Sequence, residues 1–271
     1  MAKVGDRHPK TAAGAYWDTV LAGWESTVAH QLWRAHSDAV NIRLIHRWLP
    51  ARGERLLKTD LFDEATGNGL YPELAGRAKE VIGIDLSAVT VGAARRRYPE
   101  LDCRVADVRA LPFADASFDA IVSNSTLDHF DSAATIRVAQ LELARVLRPG
   151  GVLLITLDNR MNPVVALRTS RLYGPLHRLG VVPYYVGATL GPRGLKQLLS
   201  QTGFLIEAIT SIMHCPPQIA SALAARGRAR RAGRQAVHRH LGAVLRFEAM
   251  ERWPTRHLTG HFVAARAVRR S

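Results

Sequence analysis

Between Ala15 and Leu49 the apolar residues Tyr16, Trp17, Leu21, Trp24, Val28, Leu32 and Trp33 recur at three- and four-residue steps, the period of a helix with one buried face. Ser37, followed by Ala39, Val40, Ile42, Leu44 and Ile45, reads as the cap of a second helix that Pro50 stops. An apolar run from Leu56 to Phe62, interrupted at Lys58 to Asp60, then predicts a first strand near 56–62, followed by a glycine turn and a helix near 72–79. Further strands are expected near 80–84, 101–105, 118–124 and 150–157, and helices near 88–97 and 132–147. In the last helix Ile136, Val138, Leu141, Leu143, Val146 and Leu147 are apolar and Pro149-Gly150-Gly151 ends it. Strand and helix alternate, so the fold class is α/β with a doubly wound parallel sheet.

Beyond that core the pattern loosens. A long connection carries Arg168, Arg171, Tyr173, His177, Tyr184 and Tyr185 to a helix near 192–202. Connections longer than about 12 to 15 residues are commonly lids or linkers, and this one reads as a substrate lid. Strand six is Phe204 to Ile212, and the closing strand Gly260 to Ala265 follows only after Cys215 to Leu258. Within that insertion Ile219, Leu223, Val237, Leu241, Val244, Leu245 and Phe247 stand among arginines at near-helical steps. The expected layout is a tail and helical lid over 1–50, then a catalytic domain over 51–271 with lid insertions at about 158–191 and 215–258. Residues 1–14 read as a disordered tail.

Charge changes the picture at one end. The chain of 271 residues carries +14, and residues 221–271 hold twelve Arg, no Lys and only the acids Glu248 and Glu251, which places ten of the positive charges there. Such a segment suits an anionic partner, nucleic acid or an acidic membrane surface contacted peripherally. A solvated Arg-rich helix packed on the body is the plainer reading and ranks ahead. Two cysteines, Cys103 and Cys215, make no disulfide framework, the start MAKVGDRHPK has no apolar core, and no apolar stretch approaches a membrane span, so a cytoplasmic protein is expected.

The candidate chemistry begins at Asp63-Glu64-Ala65-Thr66-Gly67-Asn68-Gly69. A dinucleotide fingerprint would need a third glycine where Pro72 stands. Read instead as acid-x-small-x-Gly-x-Gly, the turn resembles motif I of the class I S-adenosylmethionine-dependent methyltransferases, with Ala65 the one departure. Glu80-Val81-Ile82-Gly83-Ile84-Asp85 ends in an acid eighteen residues past Gly67, the place of a carboxylate that takes ribose hydroxyls. Ala106-Asp107, Leu111-Pro112-Phe113 and Ser117-Phe118-Asp119 resemble the family's motifs II and III. Leu147-Arg148-Pro149-Gly150-Gly151 is similar to its turn before strand five, so the resemblance covers about Leu56 to Leu157.

It implies a seven-stranded Rossmann-like sheet, S-adenosyl-L-methionine as cofactor, and cofactor contacts from Asp63, Ala65, Thr66, Gly67, Gly69, Asp85, Leu86, Asp107, Val108 and Asn124. Ser123 to Phe130 follows strand four, where the family places groups facing the methyl. His129 is the candidate general base, with Asp128 second. The motif pattern resembles the type 11-like branch that modifies quinones and natural products, which implies a small apolar or aromatic acceptor methylated at oxygen. RNA methylation through the Arg-rich insertion, and a cofactor-binding scaffold without turnover, are the alternatives. No metal site is expected: Asp158 and Asn159 are the only ligands worth keeping for one, and nothing in the spacing draws His214 or Tyr173 to a substrate.

Overall fold

The computed structural model describes residues 17, 18, 21, 28–170, 187–216, 219, 222, 223 and 240–271. Tyr16, Trp24, Arg171, Tyr173, His177, Tyr184, Tyr185, Val237, the 1–14 tail and the arginines from 226 to 239 lie outside them.

Seven strands form one sheet in the order β3-β2-β1-β4-β5-β7-β6. They are β1 (Gly53–Lys58), β2 (Ala78–Asp85), β3 (Asp102–Val105), β4 (Phe118–Asn124), β5 (Leu147–Asp158), β6 (Phe204–Ile212) and β7 (Phe262–Arg269). Strand β7 is antiparallel to both β5 and β6, and the pairings among β1 to β5 are parallel. The chain reverses direction across the sheet between β1 and β4, the switch point where such sheets bind ligands.

Alternation along the strands builds two cores. Leu56, Val81, Ala120 and Leu154 face one side with Val40, Leu44, Ile45 and Trp48 of helix α1 (Val28–Trp48). Leu57, Ile82, Ile121 and Leu153 face the other. There they meet Ile136 and Leu143 of α5 (Ala133–Val146) and Leu195 of α7 (Pro192–Gln201). On α5 the buried stripe is Ile136, Ala139, Leu143 and Val146, whereas Val138 and Leu141 point to solvent. Ser132 caps α5 through Thr135 N, and Ser87 caps α4 (Ala88–Arg97) through Thr90 N.

Four expectations need correction. Ser37 caps nothing: α1 runs through it, and its carbonyl and hydroxyl accept from Asn41 Nδ2. The closing strand begins at Phe262, not Gly260. The expected helix at 72–79 shrinks to α3 (Tyr71–Leu74), because β2 starts at Ala78. The first strand ends at Lys58, and Phe62–Thr66 is a short helix, α2. It stops there because the next amides turn to carboxylates: Leu61 N donates to Asp85 Oδ2 (3.1 Å) and Phe62 N to Asp60 Oδ1 (3.0 Å). Leu61 then packs so tightly on β2 that a Cβ at Gly83 would lie 2.5 Å from its Cδ2.

Candidate active site

Moving the end of β1 to Lys58 relocates the predicted glycine turn. Thr59, Asp60 and Leu61 now make the turn at the switch point. Gly67 instead closes α2, its N–H donating to Asp63 O (2.8 Å), and Gly69 adopts a left-handed φ of 62° over Glu64. Asp63, Ala65 and Thr66 ride on α2. Arg34 of α1 reaches across to them, with Nη2 2.9 Å from Asp63 O and 3.1 Å from Asp63 Oδ1, and Nη1 donating to Thr66 Oγ1.

Beneath this lies a buried ion pair that the sequence reading missed. Lys58 Nζ sits 2.8 Å from Glu64 Oε2, and both side chains are almost wholly inaccessible. Glu64 Oε1 accepts from Leu70 N (2.8 Å) and Tyr71 N (3.1 Å), which fixes the entry to α3. Asp38 of α1 completes the cluster. Burial, then Asp63, push it up to about 7, against the pull of Arg34, and its Oδ1 is buried without a hydrogen-bond partner. Burial likewise raises Asp60 well above the carboxylate range, with Lys58 opposing and Asp85, Asp63 and Glu64 reinforcing.

The other predicted cofactor contacts fall along the same edge. Asp85 ends β2 and is raised by burial, although N–H groups of Ser87 and Leu61 hold its oxygens; Leu86 follows it. Asp107 follows β3, and Val108 is buried in the core. Burial would raise Asp107, but hydrogen bonds from the Arg109 side chain and N–H hold it below its ordinary value. Asn124 ends β4, its Oδ1 accepting from Thr156 Oγ1 (2.7 Å).

Beyond β4, Asp128 and His129 form a 3-10 turn at Leu127–His129. Asp128 is fully buried; its Oδ2 accepts from Asp158 N (2.6 Å) and Ser125 Oγ (3.0 Å), and its Oδ1 is 3.9 Å from His129 Nε2. At the end of β5, Asp158 Oδ1 is 3.5 Å from His261 Nε2. An aspartate and a histidine therefore stand side by side at each of two adjacent strand ends. Each carries a tryptophan in edge contact, Trp17 on His129 (4.6 Å between centroids) and Trp33 on His261 (5.7 Å). Asp18 hydrogen-bonds Ser87 beside Asp85, so consecutive residues of the N-terminal segment touch both flanks of the crevice.

Asn159 has a structural task, its amide bridging to His257 O and Gly260 O (2.8 and 2.9 Å). His214 bonds Thr259 Oγ1 and Ser211 O. Among the described residues no group of three His, Cys, Asp or Glu is placed to hold a metal, and no helix is long and apolar enough to cross a membrane. Arg34, Asp38, Lys58, Asp60 and His261 are residues at this edge that sequence reasoning did not single out. Only the i, i+4 spacing of Arg34 and Asp38 hinted at any of them.

Fold and site together define a doubly wound α/β protein with a cluster of acidic side chains at its switch point. The methyltransferase domain family matches residues 62–155. A probable S-adenosylmethionine-dependent methyltransferase of Mycolicibacterium smegmatis is 30% identical over 184 residues, 67% of this chain and 63% of that protein. The O-methyltransferase rstn1 of Aspergillus nomiae is 33% identical over 173 residues, 59% of this chain and 68% of that protein. The chain thus spans rather less than two thirds of the mycobacterial relative. The geranyl diphosphate C-methyltransferase of Streptomyces coelicolor has the same fold, with a TM-score of 0.56 at 15% identity over 84% of this chain and 76% of that one. The chain belongs to the class I S-adenosylmethionine-dependent methyltransferases.

S-adenosyl-L-methionine is the cofactor of this family. The residues present fit it: its ammonium and sulfonium are cationic, and the crevice gathers Asp38, Asp60, Asp63 and Asp85 with an orphaned carboxylate oxygen at Asp38.

Proposed function

We propose that the protein is an enzyme that methylates a small apolar or aromatic acceptor at oxygen, with His129 as the base. The observation that carries this reading is the pairing of Asp128 with His129 beside the acidic crevice, under Trp17. S-adenosylmethionine supplies an electrophilic methyl group when bound. The chain's own residues would position and deprotonate the acceptor: the His129 ring, partly exposed beside buried Asp128, would receive the hydroxyl proton on an imidazole nitrogen. Asp128 is anchored through its Oδ2 by Ser125 and the Asp158 amide, and its Oδ1 stands 3.9 Å from that ring.

Residues 1–50 serve in this reading as tail and lid, and the insertions at about 158–191 and 215–258 shape the acceptor pocket around the catalytic domain. An oxygen acceptor is supported by the name of the rstn1 relative and by the aromatic side chains over both histidines. The test is methyl transfer from radiolabelled S-adenosylmethionine to a panel of phenolic and quinone-like compounds. Labelled ether product, lost in His129→Gln with cofactor binding retained, is the expected result. Binding of cofactor with no transfer to any oxygen, nitrogen or carbon acceptor overturns it in favour of a scaffold role.

A further inference from the structure

Helix α1 does more at this site than cover it. We propose that Asp38 is a cofactor-binding residue, whose unpaired Oδ1 receives a cationic group of S-adenosylmethionine, the ammonium or the sulfonium. The inference rests on the methyltransferase reading above and adds to it a ligand carried by the N-terminal helix.

Charge singles out Asp38. The two cations of the crevice are already committed, Arg34 to Asp63 and Lys58 to Glu64. Among the described residues, Asp38 and Asp60 enter no ion pair. The charged groups facing Asp38 are Arg34 on its own helix, Asp63 and Glu64 on α2, and Lys58 at the end of β1. Two of these four repel an ionised Asp38, and its Oδ1 is shut off from water with no donor in reach. A buried acceptor without a donor is costly, and burying its charge uncompensated costs more. A bound cation removes both costs at once. Asp38 also lies at the right place: it faces α2 and the β1 turn, over the switch point.

Since Asp38 titrates at about 7 without ligand, a cation beside it drives its proton off. Cofactor binding near neutral pH therefore releases protons from this group, and releases progressively fewer as pH rises above 8.

The experiment is calorimetric titration of the full chain with S-adenosylmethionine at pH 7 in phosphate, imidazole and Tris, repeated with Asp38→Asn. The expected result is a binding enthalpy that changes with buffer ionisation heat in the wild type. The variant is expected to show a much smaller buffer dependence and about tenfold or greater loss of affinity, with an unchanged circular dichroism spectrum. S-adenosylhomocysteine keeps the ammonium and lacks the sulfonium. An Asp38→Asn loss seen with both ligands identifies the ammonium as the bound group, and a loss confined to S-adenosylmethionine identifies the sulfonium. Wild-type binding with the same proton release and affinity in Asp38→Asn overturns this inference alone. Absence of wild-type binding overturns the methyltransferase reading and the inference with it.

Discussion

Asp158 Oδ1 lies 3.5 Å from His261 Nε2 at the corner where β5 hands over to β7, and burial acts on the two groups in opposite senses. Burial first, and Asp128 second, raise Asp158 to about 8; burial and Arg168 depress His261 to about 3. Burial and Asp128 thus keep a proton on Asp158 below about 8, and burial and Arg168 keep His261 neutral above about 3.

That proton sets a pH dependence. From about 3.8 to about 8 the folded chain keeps a proton on Asp158 that the unfolded chain has lost, so this contribution to stability falls as pH rises. From about 3 to 6.5 the unfolded chain binds a proton that His261 refuses when folded, so this contribution rises with pH. The two oppose each other up to 6.5, and above that Asp158 acts alone. Asp158→Asn is expected to make the fall in urea midpoint between pH 6.5 and 8 shallower than in the wild type, and to steepen the rise between 4 and 6.5. Identical profiles for the two proteins would show that Asp158 holds no proton in this range.

Lys58 and Glu64 form the buried ion pair on which the β1 turn rests. Removing one partner leaves the other charged and unpaired in the interior, so Lys58→Met is expected to cost about 3–5 kcal/mol. The double variant with Glu64→Gln recovers part of that loss, since the amide oxygen still accepts from Leu70 N and Tyr71 N while the stranded charge is gone. Chemical unfolding of both variants measures this. A double variant no more stable than Lys58→Met would show that the pair is not the unit that matters.

Lys58 also marks the limit of what the sequence discloses. Strands β4 and β6 and helix α4 have the bounds the apolar pattern predicts. At β1 the same rule misleads. Leu61 and Phe62 continue the apolar run, yet the ladder ends at Lys58, since Asp60 and Asp85 capture the amides that would extend it. Asp85 is twenty-four residues from Leu61, a pairing no local pattern encodes. The acidic crevice was hidden for the same reason: Arg34, Asp38 and His261 join it only through the packing of α1 and β7 against the sheet. Asp85, Asp107 and Asn124 were legible because they stand at or just past the ends of β2, β3 and β4, where short sequence and tertiary position coincide.

Glu248 ties the late insertion to the N-terminal helix. Its Oε1 is 2.8 Å from His36 Nε2 and accepts from His214 N (3.0 Å), and its Oε2 accepts from Met213 N (3.1 Å). Glu248→Ala strands three polar groups at once, and is expected to destabilise the fold by about 2–4 kcal/mol. Because the bond crosses from 246–252 to α1, amide exchange in residues 28–48 should accelerate together with exchange in 240–259. Acceleration confined to the insertion would separate the two elements.

The role of His129 is separable from that of the crevice. Its ring lies against Trp17 on one side and within 3.9 Å of buried Asp128 on the other, so its substitution leaves the Lys58–Glu64 pair and Asp85 untouched. A base that takes the acceptor's proton contributes roughly 10²- to 10⁴-fold to rate, whereas a merely supporting side chain moves binding and stability together. His129→Gln is therefore expected to lower kcat by at least about a hundredfold while KM for the cofactor stays within a few-fold. The loss should shrink for acceptors of lower pKa, such as nitrophenols, which arrive already ionised and need no base. Trp17→Ala supplies the control, since it removes the ring contact but not the imidazole and should raise acceptor KM more than it lowers kcat. A His129→Gln defect that is the same for nitrophenols as for unactivated phenols would assign the imidazole to positioning, and the proton to another group or to water.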